Sequence, residues 1–279
     1  MNSKKQGNRL LALLLSFCML LTMVPVTAFA AGTNGTARAE DECDVLMFST
    51  YLSHVPRDNR YVKAARENIP KVFAEKGYKV KTKIDLNSQE QHLTEEDMKG
   101  ISLLILFFPY VSFNDKDIAL MREFLQGGGR IVMIGEHGRF SPTENAVLTQ
   151  AAEKLGGSFT ISTRAVGKGY EIKVGSADMP ETALTGGVES SLYCNYVAPI
   201  SYTGSVQPVL SYYGDVWAVD QAVENGRIFA ISDIDCFDPL FENNGLFKNN
   251  AQLTADTKKW ILNWLLDARD NQSMVVDNK

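Results

Sequence analysis

Gly127-Gly128-Gly129-Arg130-Ile131-Val132-Met133-Ile134-Gly135-Glu136-His137-Gly138 is the stretch whose reading decides the fold. The residues before it, Ile118 to Leu125, have amphipathic helical spacing. The three glycines stop that helix, because glycine reaches the left-handed C-cap conformation at no steric cost. The apolar run from Ile131 to Ile134 then predicts a central parallel strand buried on both faces. Where the strand ends, the chain presents Glu136 and His137 between glycines. Open α/β sheets bind their ligands at that edge, so one stretch gives both a fold class and a place to look for a site.

Outward from it, strands and helices alternate. Asp44 to Thr50 predicts a first strand and Arg60 to Lys76 a helix with Val62, Ala65, Ile69, Val72 and Phe73 on one face and a kink at Pro70. Lys79 to Asp85 predicts a second strand, Leu93 to Lys99 a short helix opened by Thr94-Glu95-Glu96-Asp97, and Ile101 to Phe108 a third strand. Asn114 or Asp115 caps the helix that runs to Leu125. After the fourth strand, Ser141-Pro142-Thr143-Glu144 opens a helix to Leu155 that Gly156-Gly157 closes. This rhythm predicts a doubly wound, mostly parallel sheet. From Ser158 to Thr203 only short extended pieces are legible. Val206 to Tyr213 and Val216 to Ala222 then read as strands, with Glu224-Asn225-Gly226 turning a hairpin into Arg227 to Ser232. The closing helix, Thr257 to Leu266, carries Trp260 and Trp264 one turn apart, the spacing of core packing.

The chain ends have a different character. Lys4, Lys5 and Arg9 precede an apolar run from Leu10 to Val24, and Ala28-Phe29-Ala30 supplies an A-x-A cleavage pattern. Residues 1–30 therefore read as a Sec-type signal peptide, the run being shorter than the about 20 apolar residues of a membrane span. Residues 31–42 read as a linker, 43–266 as one α/β domain, and 267–279 as a polar tail. Secretion or association with the cell envelope follows, with no stable membrane span after cleavage. The formal net charge is -5, and the leader carries three of the cations and no acid. An acidic mature chain without a basic patch excludes nucleic acid as a partner. Cys43, Cys194 and Cys236 are too few for a disulfide scaffold, which leaves one bridge and a free thiol, or three buried thiols, the plainer reading.

The order strand, helix, Gly-Gly-Gly-Arg, apolar strand, Gly135-Glu136-His137-Gly138, helix, then a hairpin into Gly226-Arg227-Ile228-Phe229-Ala230-Ile231-Ser232-Asp233-Ile234-Asp235 resembles the class I glutamine amidotransferase-like (flavodoxin-like) superfamily. Within it the chain is most similar to the non-amidotransferase branches, the trehalose-utilisation-like and gliding-motility-like envelope domains, over residues 43–266. The resemblance implies a nucleophilic Cys on a Gly-x-Cys-x-Gly turn where residues 134–138 stand, and a His-x-Glu pair after a late strand. This sequence has no thiol in that turn and has Asp233-Ile234-Asp235 after the late strand. Glutamine hydrolysis is therefore not expected.

What remains is a set of polar residues following strands: His54, Tyr110, Glu136, His137, Asp233 and Asp235. Parallel strands bring such loops to one edge. His137, Glu136 and Asp235 are the candidates for acid/base work, and His54, His137 and Asp235 for a divalent metal, the one cofactor this donor set suits. Each also has a plainer role as a capping or loop residue. Tyr193, Tyr196, Tyr202, Tyr212 and Tyr213 have the rings to stack on sugars, but in a strand-rich region they read as sheet packing. The first function expected is a binding domain for a carbohydrate or other small polar ligand. The alternative is a metal- or acid/base-dependent hydrolase or isomerase acting on a sugar-like substrate.

Overall fold

The computed structural model describes residues 43–50, 60–84, 91–138, 140–167, 169–241 and 250–266. The expected leader, linker and tail, and the candidate His54, lie outside these residues. The described chain is a mixed α/β fold around a seven-stranded, mostly parallel sheet. Its strands are β1 (Val45–Phe48), β2 (Val80–Lys83), β3 (Leu103–Phe107), β4 (Arg130–Ile134), β9 (Gln207–Tyr212), β10 (Asp215–Val223) and β11 (Gly226–Ile231), in the order β2-β1-β3-β4-β11-β10-β9. The pairs from β2 through β11 are parallel, and β10 and β9 add an antiparallel edge. Four short strands, β5 (Phe159–Ile161), β6 (Tyr170–Lys173), β7 (Ser191–Cys194) and β8 (Ile200–Tyr202), form two small antiparallel pairs, β5 with β8 and β6 with β7.

Alternate strand residues feed two cores, one on each face, as the pleat requires. Val45, Met47, Ile105, Phe107, Val132, Ile134, Phe229 and Ile231 pack with Val62, Ile69, Val72 and Phe73 of α1 (Arg60–Lys63, Ala64–Asn68 and Ile69–Ala74) and with Trp260, Ile261 and Trp264 at the end of α5 (Ala251–Asn263). Leu46, Phe48, Leu104, Leu106, Ile131, Met133, Ile228 and Ala230 face α3 (Asp115–Gln126) and α4 (Pro142–Lys154). A short α2 (Glu95–Met98) has a capping box between Thr94 and Asp97, and Asp97 also receives Lys81 and Lys83 from the edge strand β2. The tryptophans are core, as their spacing predicts. No helix among the described residues is long and apolar enough to cross a membrane.

Local chemistry departs from the sequence reading in four places. Instead of a simple kink at Pro70, the middle of α1 (Ala64–Asn68) is a π-turn in which the Ile69 N–H reaches the Ala64 carbonyl. The wider turn accommodates a proline ring that would collide with the carbonyl four residues back. Ser141 stands at the start of α4 but its hydroxyl makes no cap bond. Of the three helix-stopping glycines, only Gly128 has a left-handed φ, +88°. At Gly129 a Cβ would meet the Phe124 ring at 2.4 Å, so any side chain there would have to displace that ring. The hairpin turns on Glu224, at φ +52°, and Asn225, so Gly226 is already strand. Its missing Cβ makes room for the Gly129 carbonyl, which a side chain would meet at 2.3 Å.

Candidate functional site

The carboxyl ends of β1, β3, β4 and β11 open on one edge of the sheet. There the turn after β4 is held from inside α4. Asn145, fully buried, donates to the carbonyls of Glu136 at 2.5 Å and Ser162 at 3.1 Å and accepts from the Glu136 N–H at 3.1 Å. A Cβ on Gly135 would meet its amide oxygen at 2.5 Å, so the glycine that the sequence places after the strand is there for close approach. Gly138 is tighter still, with the Thr163 backbone where a Cβ would go.

Glu136 turns inward. One carboxylate oxygen accepts the His137 N–H at 2.7 Å and the other the Ile234 N–H at 3.1 Å, which ties the end of β4 to the segment after β11. The His137 Nε2 lies 3.6 Å from the first of these oxygens. Asp233 plays the matching part, with one oxygen taking the Asn195 N–H at 2.7 Å and the other the Asp235 N–H at 2.8 Å. Both acids are buried. Burial first, and then the neighbouring carboxylates, push Glu136 and Asp233 well above the ordinary carboxyl range, although the backbone donors work the other way.

Asp235 opens a 3-10 turn (Asp235–Leu240) and is fully engaged. It accepts from Arg60 Nη2 at 2.5 Å and the Tyr61 hydroxyl at 3.0 Å on one oxygen, and from Asn195 Nδ2 at 2.7 Å on the other. The second guanidinium nitrogen of Arg60 donates to Asp238 at 2.8 Å. Desolvation opposes the charge on Arg60, but the Tyr61 hydrogen bond, Asp235 and Asp238 outweigh it and hold the guanidinium pKa up. Tyr61 is raised by burial and then by Asp235 and Glu136. A single arginine therefore faces two acids of a buried group that also includes Glu136 and Asp233.

Above this base lies a set of rings. His137 sits 5.8 Å from Tyr196 and 6.1 Å from Phe140, centroid to centroid, and Phe140 reaches Tyr61 at 5.6 Å and Phe108 at 6.1 Å. Tyr196 and Phe140 are 40% and 45% exposed, while His137 shows 21% of its side chain. Of the sequence candidates, then, Glu136, His137, Asp233 and Asp235 share one neighbourhood, and Tyr110 lies on the same edge after β3, partly exposed. Arg60, Tyr61, Phe140 and Asn195 were not among the candidates. The one sequence signal for Arg60 is a cation in the first turn of a helix that has no acid there, against the helix dipole. The reading of the tyrosines as sheet packing holds for buried Tyr193. It does not hold for Tyr196 or for Tyr213, which is 73% exposed.

Among the described residues no group of three or more His, Cys, Asp and Glu side chains is arranged to hold a metal ion, and the oxygens of Asp235 are committed to Arg60, Tyr61 and Asn195. The three thiols, Cys43, Cys194 and Cys236, are buried and unbridged. Burial raises all three, so none of them offers a thiolate. Two cavities of about 360 and 410 Å³ lie elsewhere, one against α1 and α5 and the other against α2 and α3.

No protein-family model matches the chain, and no curated protein matches it by sequence. Among solved structures, the chain is similar to the N-terminal domain of mmIFT52, with a TM-score of 0.50 at 13% identity over 78% of this chain and 96% of that one. It is also similar, at a TM-score of 0.45 and 11% identity, to a protein described as thua-like from Bacteroides uniformis ATCC 8492, over 82% of this chain and 95% of that one. A third is the exo-beta-1,4-mannosidase Op5Man5 from Opitutaceae bacterium strain TAV5, with a TM-score of 0.49 and 12% identity, where 81% of this chain covers 36% of the enzyme. At these identities likeness speaks to fold and leaves chemistry to the site itself.

Proposed function

We propose that the chain is a secreted or cell-envelope domain of the class I glutamine amidotransferase-like, flavodoxin-like kind, without the nucleophilic cysteine, that binds a carbohydrate or another small polar ligand at the carboxyl edge of its sheet. The strand order β2-β1-β3-β4-β11 supports the fold assignment, since it is the 2-1-3-4-5 order of flavodoxin-like sheets. The observation that carries the function is the pair of half-exposed rings, Tyr196 and Phe140, flanking His137 above a buried polar base. Rings give a pyranose an apolar face to stack on, and the imidazole gives its hydroxyls a partner.

Binding is favoured over catalysis by what the acids do. A general acid or base must reach the substrate within hydrogen-bond distance. Glu136 has 1% of its surface exposed and Asp235 has 4%, and their oxygens serve backbone amides, Arg60, Tyr61 and Asn195. Of the three acid/base candidates, His137 is the one with appreciable exposure. The test is a glycan array followed by calorimetry, comparing wild type with Tyr196→Ala and Phe140→Ala, each checked for an unchanged melting point. Retention of a saccharide that either substitution weakens at least tenfold supports the reading. Wild type that retains no saccharide, or variants that bind as well as wild type, would overturn it.

A further inference from the structure

A second group of rings occupies the same edge further along the sheet. Tyr170, Tyr212 and Tyr213 form a mutual cluster, with centroids 5.3 Å apart for Tyr170 and Tyr212, 5.5 Å for Tyr170 and Tyr213, and 4.8 Å for Tyr212 and Tyr213. Tyr213 and Gly214 make the turn between β9 and β10. Because Ala218 of β10 pairs with Ile231 of β11, this turn lies at the carboxyl end of the parallel strands, beside Asp233 and Asp235 rather than at the opposite edge. Tyr170 and Tyr212 are partly buried against the core, whereas Tyr213 at the hairpin tip is the most exposed of the large apolar or aromatic side chains in the described residues.

The backbone gives a second, independent observation. Among the described residues four non-glycine residues have left-handed φ, and three of them, Phe108 at +54°, Tyr196 at +61° and Tyr213 at +48°, are aromatics at this one edge. Bulky residues persist in that conformation only where the surroundings over-determine it. For Tyr213 the cause is visible: with Gly214, at φ +89°, it forms a two-residue hairpin that requires this conformation, and Asp178 braces the turn, accepting from the Ser211 hydroxyl at 2.6 Å and the Gly214 N–H at 3.4 Å on its carboxylate and from the Ser211 N–H at 2.8 Å on its carbonyl. The turn is clamped, so the ring is presented in a fixed position, which lowers the ordering cost of a contact.

The two ring groups are joined by continuous structure. The 195–198 segment crosses the end of β11, where Ala198 exchanges hydrogen bonds with Ser232. Val197 pairs with Val166, and the next residue, Gly167, lies over the face of Tyr212. The Tyr196 group stands over β4 and β11 and the tyrosine cluster over β10 and β9, about two strand spacings away, roughly 10 Å. One sugar ring does not span that gap, and a short chain of them does.

We propose that the Tyr170, Tyr212 and Tyr213 cluster is a second stacking subsite, and that the ligand is a neutral oligosaccharide laid along the sheet edge from Tyr196 to Tyr213. This rests on the binding function proposed above. Neutrality follows from the base of the site, where carboxylates outnumber the single guanidinium, and from the formal charge of -5, both of which disfavour a polyanion. The rings take the C–H faces of successive sugars and their phenols take hydroxyls.

The test is calorimetry of the full chain against mannose and glucose and their β-1,4-linked oligomers of two to six units, with wild type, Tyr213→Ala and Tyr196→Ala. The expected result is an affinity that rises at least tenfold from one unit to the longer oligomers in wild type. Tyr213→Ala should abolish that rise, and Tyr196→Ala should weaken every length. An affinity that does not grow with length, or a growth with length that survives Tyr213→Ala, would overturn the second subsite and leave the binding function standing. Absence of binding at every length in these series and on the glycan array would remove the binding function and the subsite with it.

Discussion

Removing the guanidinium of Arg60 while keeping its stem, as Arg60→Met does, tests whether the acid cluster is held together as the geometry implies. Asp235 and Asp238 have side chains only 5% and 2% exposed, and Arg60 meets both. Breaking a buried ion pair by deleting one partner costs about 3–5 kcal/mol, because a carboxylate stays behind without its cation. An exposed pair is worth about 0.2–1 kcal/mol. Arg60 itself is 45% exposed, so solvent screens part of its field, and Asp235 keeps the donors Tyr61 and Asn195. The expected loss therefore falls between the two limits, at about 2–3 kcal/mol at pH 7. For a domain of this size that lowers the melting point by roughly 4–12 °C. The assay is urea unfolding of wild type, Arg60→Met, Asp235→Asn and the double variant. Since Asp235→Asn removes one of the charges that Arg60→Met strands, the double variant should be about 1–2 kcal/mol more stable than the sum of the single losses predicts. A single loss below about 0.5 kcal/mol, or strict additivity, would refute the argument that Arg60 compensates this buried charge.

Stability should peak in mild acid. Glu136 and Asp233 are raised above their ordinary values of 4.5 and 3.8 by burial and then by neighbouring acids, so above about pH 4 the folded state holds protons that the unfolded chain has released, and stability falls as pH rises. Asp97 and Asp256 are depressed: desolvation opposes them, but Lys81, Lys83 and Thr94 in one case and Ser190 with the 189 and 191 amides in the other outweigh it. Their contribution is present above about pH 4 and lost below it. Melting points measured from pH 3 to 8 should therefore pass through a maximum near pH 4, with Asp233→Asn flattening the alkaline limb, whereas a maximum at pH 7 or above would contradict this. At the turn that carries His137, Gly138→Ala places a Cβ 1.8 Å from the Thr163 carbonyl oxygen, and should cost more than about 3 kcal/mol because the obstruction is backbone. Gly127→Ala, at φ -74° with its nearest neighbour at 3.4 Å, should be neutral or stabilise by about 0.4–1 kcal/mol. Equal melting points for the two variants would show that the Thr163 approach is looser than it looks.

How far sequence reaches into this structure depends on the range over which each feature is decided. Leu103 to Phe107 and Ile131 to Ile134 are legible because a strand covered on both faces must be apolar at every position, and those residues are almost wholly buried. Helix α3 is legible because its Asn114 and Asp117 capping box closes within one turn. The hairpin was located by Asn225-Gly226, although the glycine answers to close packing from Gly129 instead of to the turn. The neighbourhood of Glu136, His137, Asp233 and Asp235 was legible as strand ends. Its connections were not, since Arg60 reaches Asp235 across 175 positions and Asn195 reaches it across 40, and no local pattern announces such a pair. The exposed faces of Tyr196 and Tyr213 were hidden for another reason. A tyrosine in a strand-rich segment is uninformative until the backbone places it at a turn.

That last point bears on which groups at this edge serve the scaffold and which serve a ligand. The buried acids look the more chemical, but every oxygen named above on Glu136, Asp233 and Asp235 already answers to a donor of the fold itself, and their cost is the ordinary cost of fixing strand ends in an apolar setting. The aromatics are different. A left-handed bulky residue costs about 1–3 kcal/mol, against a net stability of about 5–15 kcal/mol for a whole domain. Tyr213, 73% exposed, returns little of that cost as burial, and Tyr196, 40% exposed, returns part of it. Two-residue hairpins account for the left-handed φ of Glu224 at the opposite edge and for that of Tyr213, whose companion in the turn, Gly214, has φ +89°. Tyr196 is the exception: no two-residue hairpin requires its left-handed φ and its ring is 40% exposed, which marks it as surface shaped for something outside the fold.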